Sequence, residues 1–191
     1  LCIMSTILTL DSARLRLRPW RDEDLPAFAA LNADPQVMRY FPETMTAEES
    51  RAQAERIRAF MQQHGWGLWA VEVKDGAPFI GFVGLARPGD DLPCSPCVEI
   101  GWRLAAAHWG NGYAAEAARA ALACAFDTLH LPEVVSFTAE NNQPSRRVMT
   151  RIGMQFDGET FLHPRLPAGH PLQKHVLYRL NRQTWRERRG D

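Results

Sequence analysis

By residue type and spacing, the segment best suited to chemistry is Trp109-Gly110-Asn111-Gly112-Tyr113-Ala114-Ala115. Two glycines around one residue let the backbone curl so that successive N–H groups converge on one point. A helix starting directly afterwards adds its unpaired first-turn N–H groups and the positive end of its dipole. That combination is an anion cradle, suited to a phosphate or pyrophosphate. Two other readings stand beside it. The glycines can serve geometry alone in a tight strand-to-helix turn. Gly110-x-Gly112-x-x-Ala115 also fits a dinucleotide fingerprint, with Glu140 placed like a ribose-binding acid at the end of the next strand. Against the fingerprint, Ala105 to Trp109 separate the glycines from their strand, and antiparallel strands precede them. A Walker loop is absent, since no Gly-Lys-Ser/Thr occurs.

Other reactive side chains form no set. Cys94-Ser-Pro-Cys97 has metal-ligand spacing, but no second CxxC or HxxxH supplies the remaining ligands of a zinc site, so no metal is expected. Cys2, Cys94, Cys97 and Cys124 are too scattered for a disulfide framework, and reduced thiols are the expectation. His64, His108, His163 and His170 show no spacing for a metal or a triad. Phe41, Trp66 and Trp69 are candidates for an acceptor pocket, with core filling as the plainer role.

The elements around the cradle follow from periodicity. Leu15, Leu17 and Trp20 alternate with Arg14, Arg16 and Arg18, the pattern of a half-buried strand. Asp22-Glu23-Asp24 opens a helix that Asp34-Pro35 breaks, and Thr46-Ala47-Glu48-Glu49 caps a second helix running to about His64. Trp69 to Val73 and Phe79 to Leu85 flank Asp75-Gly76 and predict an antiparallel hairpin. Gly89 to Pro96 reads as loop and Val98 to Leu104 as strand. Ala114, Ala117, Ala118, Ala121, Leu122, Ala125, Phe126 and Leu129 then recur at helical steps, with Glu116 and Arg119 on the outer face. Val134 to Ala139 is a near-continuous apolar strand, and strand-helix-strand implies parallel pairing. Pro144 and Gly153 bracket a short helix, and Phe156 to Phe161 with Lys174 to Leu180 complete the sheet.

Composition bounds the function. The chain has 191 residues, 46% of them hydrophobic and 23% charged, which suits one folded domain able to bury a core. Basic and acidic residues balance at 22 each. With Lys74 and Lys174 the only lysines, 20 of the basic residues are arginine. The summed field gives no general attraction to nucleic acid, so any anion site is local. No apolar run approaches the roughly 18 to 20 residues of a spanning helix, and the apolar start lacks a basic flank, so a cytoplasmic protein without membrane contact is expected. Leu1-Cys2-Ile3 reads as a remnant ahead of Met4. The expected organisation is an extension over 1–13, a single domain over 14–180 and an exposed basic tail over 181–191 carrying Arg182, Arg186, Arg188 and Arg189.

Glu99-Ile100-Gly101-Trp102-Arg103-Leu104 through Trp109-Gly110-Asn111-Gly112-Tyr113-Ala114-Ala115-Glu116-Ala117 closely resembles the central motif of the GNAT superfamily of acyl-CoA-dependent N-acetyltransferases. Asn141-Asn142-Gln143-Pro144-Ser145 followed by Val148-Met149-Thr150-Arg151-Ile152-Gly153-Met154 resembles that superfamily's next motif in order and spacing. Arg14-Leu15-Arg16-Leu17-Arg18-Pro19-Trp20 and His175-Val176-Leu177-Tyr178-Arg179-Leu180 resemble the branch containing RimJ/RimL-like ribosomal-protein acetyltransferases.

The resemblance implies an α/β (α+β) fold with a mixed central sheet, antiparallel in its first half and with parallel, splayed strands at its centre, flanked by helices. It implies acetyl-CoA as cosubstrate and direct attack by a primary amine, on a protein N-terminus such as that of a ribosomal protein or on a small molecule. Monomer and homodimer both fit. In this chain the main chain of Gly110, Asn111, Gly112, Tyr113, Ala114 and Ala115 would hold the diphosphate. Trp109 stands where many members carry Gln or Arg, so its side chain would not. Trp102 and Leu104 would meet the pantetheine arm through main-chain groups, and Asn141 would bind it from the other strand. Ser145 would sit near the thiol and protonate the departing thiolate. The tyrosine acid common in the family is missing, since Val148 and Met149 occupy its region.

An amine of lysine type has a pKa of about 10, so a base or a dry pocket must remove its proton before attack. Glu99 is the candidate, acting through water; strand alternation puts it on one face with Gly101 and Arg103, where a same-face ion pair with Arg103 is the plainer role. A main-chain N–H where the strands part would serve the oxyanion. Ser145 has helix capping as its plainer role. Arg146 and Arg147 are candidates for the nucleotide phosphate, with a solvated face as the plainer role. Two rivals remain: a silent CoA-binding module without usable base and acid, and a nicotinamide-dependent oxidoreductase that binds NADH and ignores CoA.

Overall fold

A computed structural model describes residues 5–190. The reading of Leu1-Cys2-Ile3 as a remnant, and the thiol of Cys2, lie outside those residues. The chain forms two compact units: one runs to Leu85 and takes in Gly101–Ala121, and the other holds Ala86–Ile100 and the chain from Leu122 onward.

The first unit carries strands β1 (Leu10–Asp11), β2 (Leu15–Arg18), β3 (Leu68–Val73) and β4 (Gly81–Ala86, to Leu85 here), with helices α1 (Leu25–Asn32) and α2 (Ala47–His64). All pairings from β1 to β4 are antiparallel, with Leu15 opposite Val73 and Trp69 opposite Val83. Thr46 caps α2 as expected: its side chain accepts from the Glu49 amide, and Glu49 returns a bond to the Thr46 amide. Gly65, in the left-handed region at φ +80, ends that helix. Leu15, Leu17, Trp69, Val71, Ile80 and Phe28 are fully buried, and Trp20, Phe28 and Phe79 pack edge to face. At Asp75-Gly76 only Asp75 takes a positive φ, of 57°.

The alternation along β2 fails at one place. Arg18, expected on the polar side, is buried, with Nη2 2.8 Å from Asp24 and Nε 3.0 Å from Glu72. A buried guanidinium needs carboxylates and bonds for its donors, and Arg18 has both.

Strand β5 (Glu99–Leu104) runs through both units, and helix α3 (Tyr113–Ala123) follows it. Ala115, Ala117, Ala118 and Ala121 are buried along α3, as its period requires. The helix widens into a π turn over Cys124–Thr128 before Leu129. Glu116 is not on a solvated outer face: it accepts bonds from Ser12 Oγ at 2.6 Å and from the Arg14 amide and Nε at 2.9 and 2.7 Å, tying α3 to the β1–β2 turn.

The second unit adds β6 (Glu133–Ala139), α4 (Gln143–Arg151), β7 (Thr160–Leu162), β8 (Lys174–Asn181) and α5 (Arg182–Arg189). The eight strands hydrogen bond in the order β1-β2-β3-β4-β5-β6-β8-β7, a mixed sheet. The β5–β6 pairing is parallel, with Glu99 opposite Val135, and β8 pairs antiparallel with β6 and β7. The last strand before β8 is Thr160–Leu162, shorter than the expected Phe156 to Phe161, because the chain bends at Gly158, which takes φ +85. The basic segment after Asn181 is a helix on which Arg186, Arg188 and Arg189 are exposed: the Asn181 side chain caps it, Trp185 packs on Phe126 at 5.6 Å, and Arg189 pairs with Asp127. Among the described residues no helix is long and apolar enough to cross a membrane.

Candidate functional site

The candidate residues fall into two groups, one in each unit. In the first, β5 ends at Leu104, a short 3-10 turn over Ala106–His108 reverses the chain, and the loop Trp109 to Gly112 delivers it to α3 at Tyr113. Gly110 and Gly112 sit at φ +78 and +76, so both need glycine on conformational grounds. A Cβ at Gly110 would meet nothing within 4 Å, and one at Gly112 would meet only Arg14 Nη2 at 3.6 Å. The outer side of the loop is therefore clear of side chains, and the first turn of α3 opens beside it. An anionic group fits that space: peptide N–H groups of the helix start point outward, and the Arg14 guanidinium lies alongside.

Each neighbour of the glycines has a task. The Trp109 ring is half exposed, and its indole N–H donates to the Leu104 carbonyl at 2.9 Å. The Leu104 carbonyl, expected to face the pantetheine arm, is thus already engaged; Leu104 is itself buried and Trp102 half-buried. The exposed Asn111 side chain donates to the His108 and Trp109 carbonyls at 3.2 and 3.3 Å and braces the turn. Tyr113 lies under the Arg14 guanidinium at 4.7 Å, Ala114 is half-buried, and Ala115 faces the core.

In the second unit Glu99 begins β5 opposite Val135. It is half-buried, and none of the described residues donates a bond to its carboxylate. Desolvation by the packed surroundings pushes its pKa up to about 8. Past this point the Ser136 hydroxyl bonds to the Ile100 carbonyl at 2.9 Å. Asn141 is exposed just beyond β6, and Asn142 is the cap of α4: its Oδ1 accepts from the Ser145 amide at 3.3 Å and its Nδ2 donates to Thr138. Ser145 therefore does not cap α4, and its hydroxyl makes no bond to the described residues. The structure brings Asn141 and Ser145 together in one turn. Glu99 stands on the neighbouring parallel strand, opposite Val135.

Several plainer roles change with the coordinates. Arg103 bonds to no carboxylate among the described residues; its Nη1 donates to Asn32 Oδ1 at 2.8 Å and Gln53 Oε1 at 3.0 Å. Arg146 is not a solvated residue, since its Nε donates to the Tyr178 hydroxyl and its Nη1 to the Glu140 carbonyl. Glu140 itself pairs with Lys174 at 2.9 Å, which occupies the carboxylate that the dinucleotide reading requires. Trp66 and Trp69 are core residues, whereas Phe41 is exposed and lies over Arg103. The Cys94 and Cys97 sulfurs stand 3.4 Å apart as free thiols, and burial with the neighbouring thiol pushes Cys97 up to about 12. Among the described residues no group of three or more His, Cys, Asp or Glu is placed to hold a metal. Arg103, Asn32 and Gln53 escaped sequence reasoning as a set, because their meeting joins a strand to two helices 50 and more residues away.

Comparison with known proteins shows the family. The acetyltransferase (GNAT) domain family matches residues 14–155. The chain is 32% identical over 184 residues to the FsC-acetyl coenzyme A-N(2)-transacetylase of Aspergillus fumigatus, covering 93% of this chain and 77% of that one. The crystal structure of an acetyltransferase from Agrobacterium tumefaciens superposes with a TM-score of 0.74 at 31% identity, over 94% of this chain and 97% of that one. The RimL ribosomal L7/L12 alpha-N-protein acetyltransferase, solved in complex with coenzyme A, shares the fold with a TM-score of 0.72 at 16% identity, over 91% and 98% of the two chains. The chain belongs to the GNAT family and is an acetyl-CoA-dependent N-acetyltransferase.

Proposed function

We propose that this protein acetylates a primary amine, on a protein N-terminus or a small molecule, with the Gly110–Ala115 main chain holding the diphosphate of acetyl-CoA and Glu99 taking the proton of the amine. The observation that carries the reading is the bare loop: two glycines at positive φ with no side chain over Gly110, at the start of an alanine-lined helix. The fungal relative's name, which joins acetyl coenzyme A to N(2)-transacetylation, supports an amine acceptor. A ribosomal protein terminus rests on likeness of fold to RimL alone.

When bound, acetyl-CoA supplies an acyl group activated as a thioester. The chain's own groups then have separable tasks. Amides of the loop and the first turn of α3 bind anionic oxygen. Arg14, fixed by Glu116 at 2.7 Å and by the Tyr113 ring, adds a positive charge beside Gly112, where the Gln or Arg that many members carry at the Trp109 position is missing. Trp102 offers main-chain groups to the pantetheine arm, and Asn141 its side chain.

Glu99 deprotonates the amine through a water, and its raised pKa matches it to an amine better than an ordinary carboxylate would be. Ser145, with its hydroxyl free to turn, hydrogen-bonds the departing thiolate and relays to it a proton from solvent, which leaves the hydroxyl unchanged. Positioning supplies the larger share, since proximity is worth roughly 7 to 11 kcal/mol. The experiment is free-thiol release from acetyl-CoA against a panel of peptides, polyamines, amino sugars and amino acids, run beside Glu99→Gln. Release with at least one amine, and a fall of about 100-fold in the variant, is the expected result. Equal rates in parent and variant on the best acceptor would remove Glu99 from its role.

A further inference from the structure

We propose that Arg103 is the anchor for a carboxylate on the acceptor, so that this enzyme acetylates amines that carry a carboxylate group; the proposal rests on the acetyl-transfer reading and deepens it. Everything it uses lies in the first unit. Arg103 is only 9% exposed. Both hydrogens of Nη1 are used, on Asn32 and Gln53, and both partners are neutral. The opposite edge of the guanidinium is unpaired among the described residues. Buried Nε has no partner, and Nη2 makes no bond to the described residues. That Nε–Nη2 edge presents two parallel N–H donors, the geometry that grips a carboxylate in bidentate fashion.

The planes of the group are fixed by two rings, Phe82 with its centroid at 5.2 Å from Cζ and Phe41 at 4.6 Å. Rings on the faces leave the edges for bonding. Phe41 is 42% exposed, so one wall of the Arg103 environment is a surface ring. It belongs with Met45 to the segment between α1 and α2, which forms neither helix nor strand.

The same unit shows what a purely structural buried arginine looks like here. Arg18 is given Asp24 at 2.8 Å and Glu72 at 3.0 Å, and its Nη groups also reach the Pro19 and Pro78 carbonyls. Among the described residues Arg103 has no such counter-ion, and the cost of a buried, uncompensated charge is large. Burial lowers its pKa only to about 10, so it stays charged at neutral pH. A ligand carboxylate completes the pair that the chain leaves half-made.

The test pairs acceptors that differ only in carboxylate against carboxamide: α-amino acids and their amides, in the thiol-release assay with the full chain. The parent should favour the carboxylate member by about tenfold or more in kcat/KM, through KM. Arg103→Gln should bring each ratio close to one, and Arg103→Lys should fall between. Because Arg103→Gln also cuts a link between two helices, Gln53→Glu serves as the second variant. It supplies an internal counter-ion, so it should abolish the carboxylate preference while raising the melting temperature.

Calorimetry with the N-acetylated amino acids and their amides gives the same ratio without turnover. If thiol release fails with every amine, acetyl transfer as read here fails, and the calorimetric ratio still decides on Arg103. Equal affinities for both members in the parent, a preference for the amide, or a carboxylate preference unchanged in Gln53→Glu and Arg103→Gln would each overturn the proposal.

Discussion

As the proposed base, Glu99 would link protonation to activity as well as to stability. With its pKa raised from 4.5 to about 8 by desolvation, the folded chain keeps a proton that the unfolded chain has lost anywhere between those values. Stability contributed at this position therefore falls as pH rises from about 4.5 to about 8. Thermal unfolding of Glu99→Gln across that window should show a flatter pH dependence than the parent; an unchanged slope would contradict the shift. For catalysis the sign is opposite, because the base works deprotonated. In the parent, kcat/KM should rise with pH to an inflection near 8, and Glu99→Gln should lose that inflection.

At this scale the sequence spoke clearly about residue types and poorly about partners. Glu99 and Arg103 were legible as same-face neighbours on a strand, and an ion pair between them was the plain expectation. Arg103 instead reaches Asn32 and Gln53, 71 and 50 residues away, and no local pattern encodes such a meeting. Arg18 shows the same limit: strand alternation placed it outward, and Asp24 and Glu72 drew it in.

Elements were more readable, because their signals are local. The Thr46/Glu49 capping box, the alanine period of α3 and the glycine turn before it each depend on residues within a few positions. The helix after Asn181 was missed because its eight residues are nearly all polar, and its hold on the fold comes from Trp185 on Phe126 and Arg188 on the Gly153 carbonyl. Two predictions belong here. Gly110→Ala should destabilise the chain by about 1 to 2 kcal/mol, the cost of a left-handed backbone for an L-residue with no clash to add. Asp24→Ala should cost about 3 to 5 kcal/mol, since it strands the Arg18 guanidinium in the interior and also removes the bond to the Arg21 amide. Urea unfolding measures both, and a loss at Asp24 no greater than at Gly110 would contradict the weight given to the buried pair.

For the molecule as a whole, the sheet order and the loop between β5 and α3 decide which cosubstrate is read. Antiparallel β1 to β4 precede the glycine loop, and Glu140 is held by Lys174, so the arrangement departs from a dinucleotide fold that opens on its glycine motif. The balanced charge leaves anion recognition local, and the proposed site for the acyl donor consists of loop amides, the α3 helix start and Arg14. Calorimetric titration with acetyl-CoA, with NADH as control, on the parent and on Gly112→Val puts that claim to its most direct test. Saturable heat with acetyl-CoA alone is expected, with affinity at least about tenfold weaker in the variant, because a β-branched residue at φ +76 is strained and crowds the loop. Equal affinity in parent and variant, or comparable heat with NADH, would contradict it.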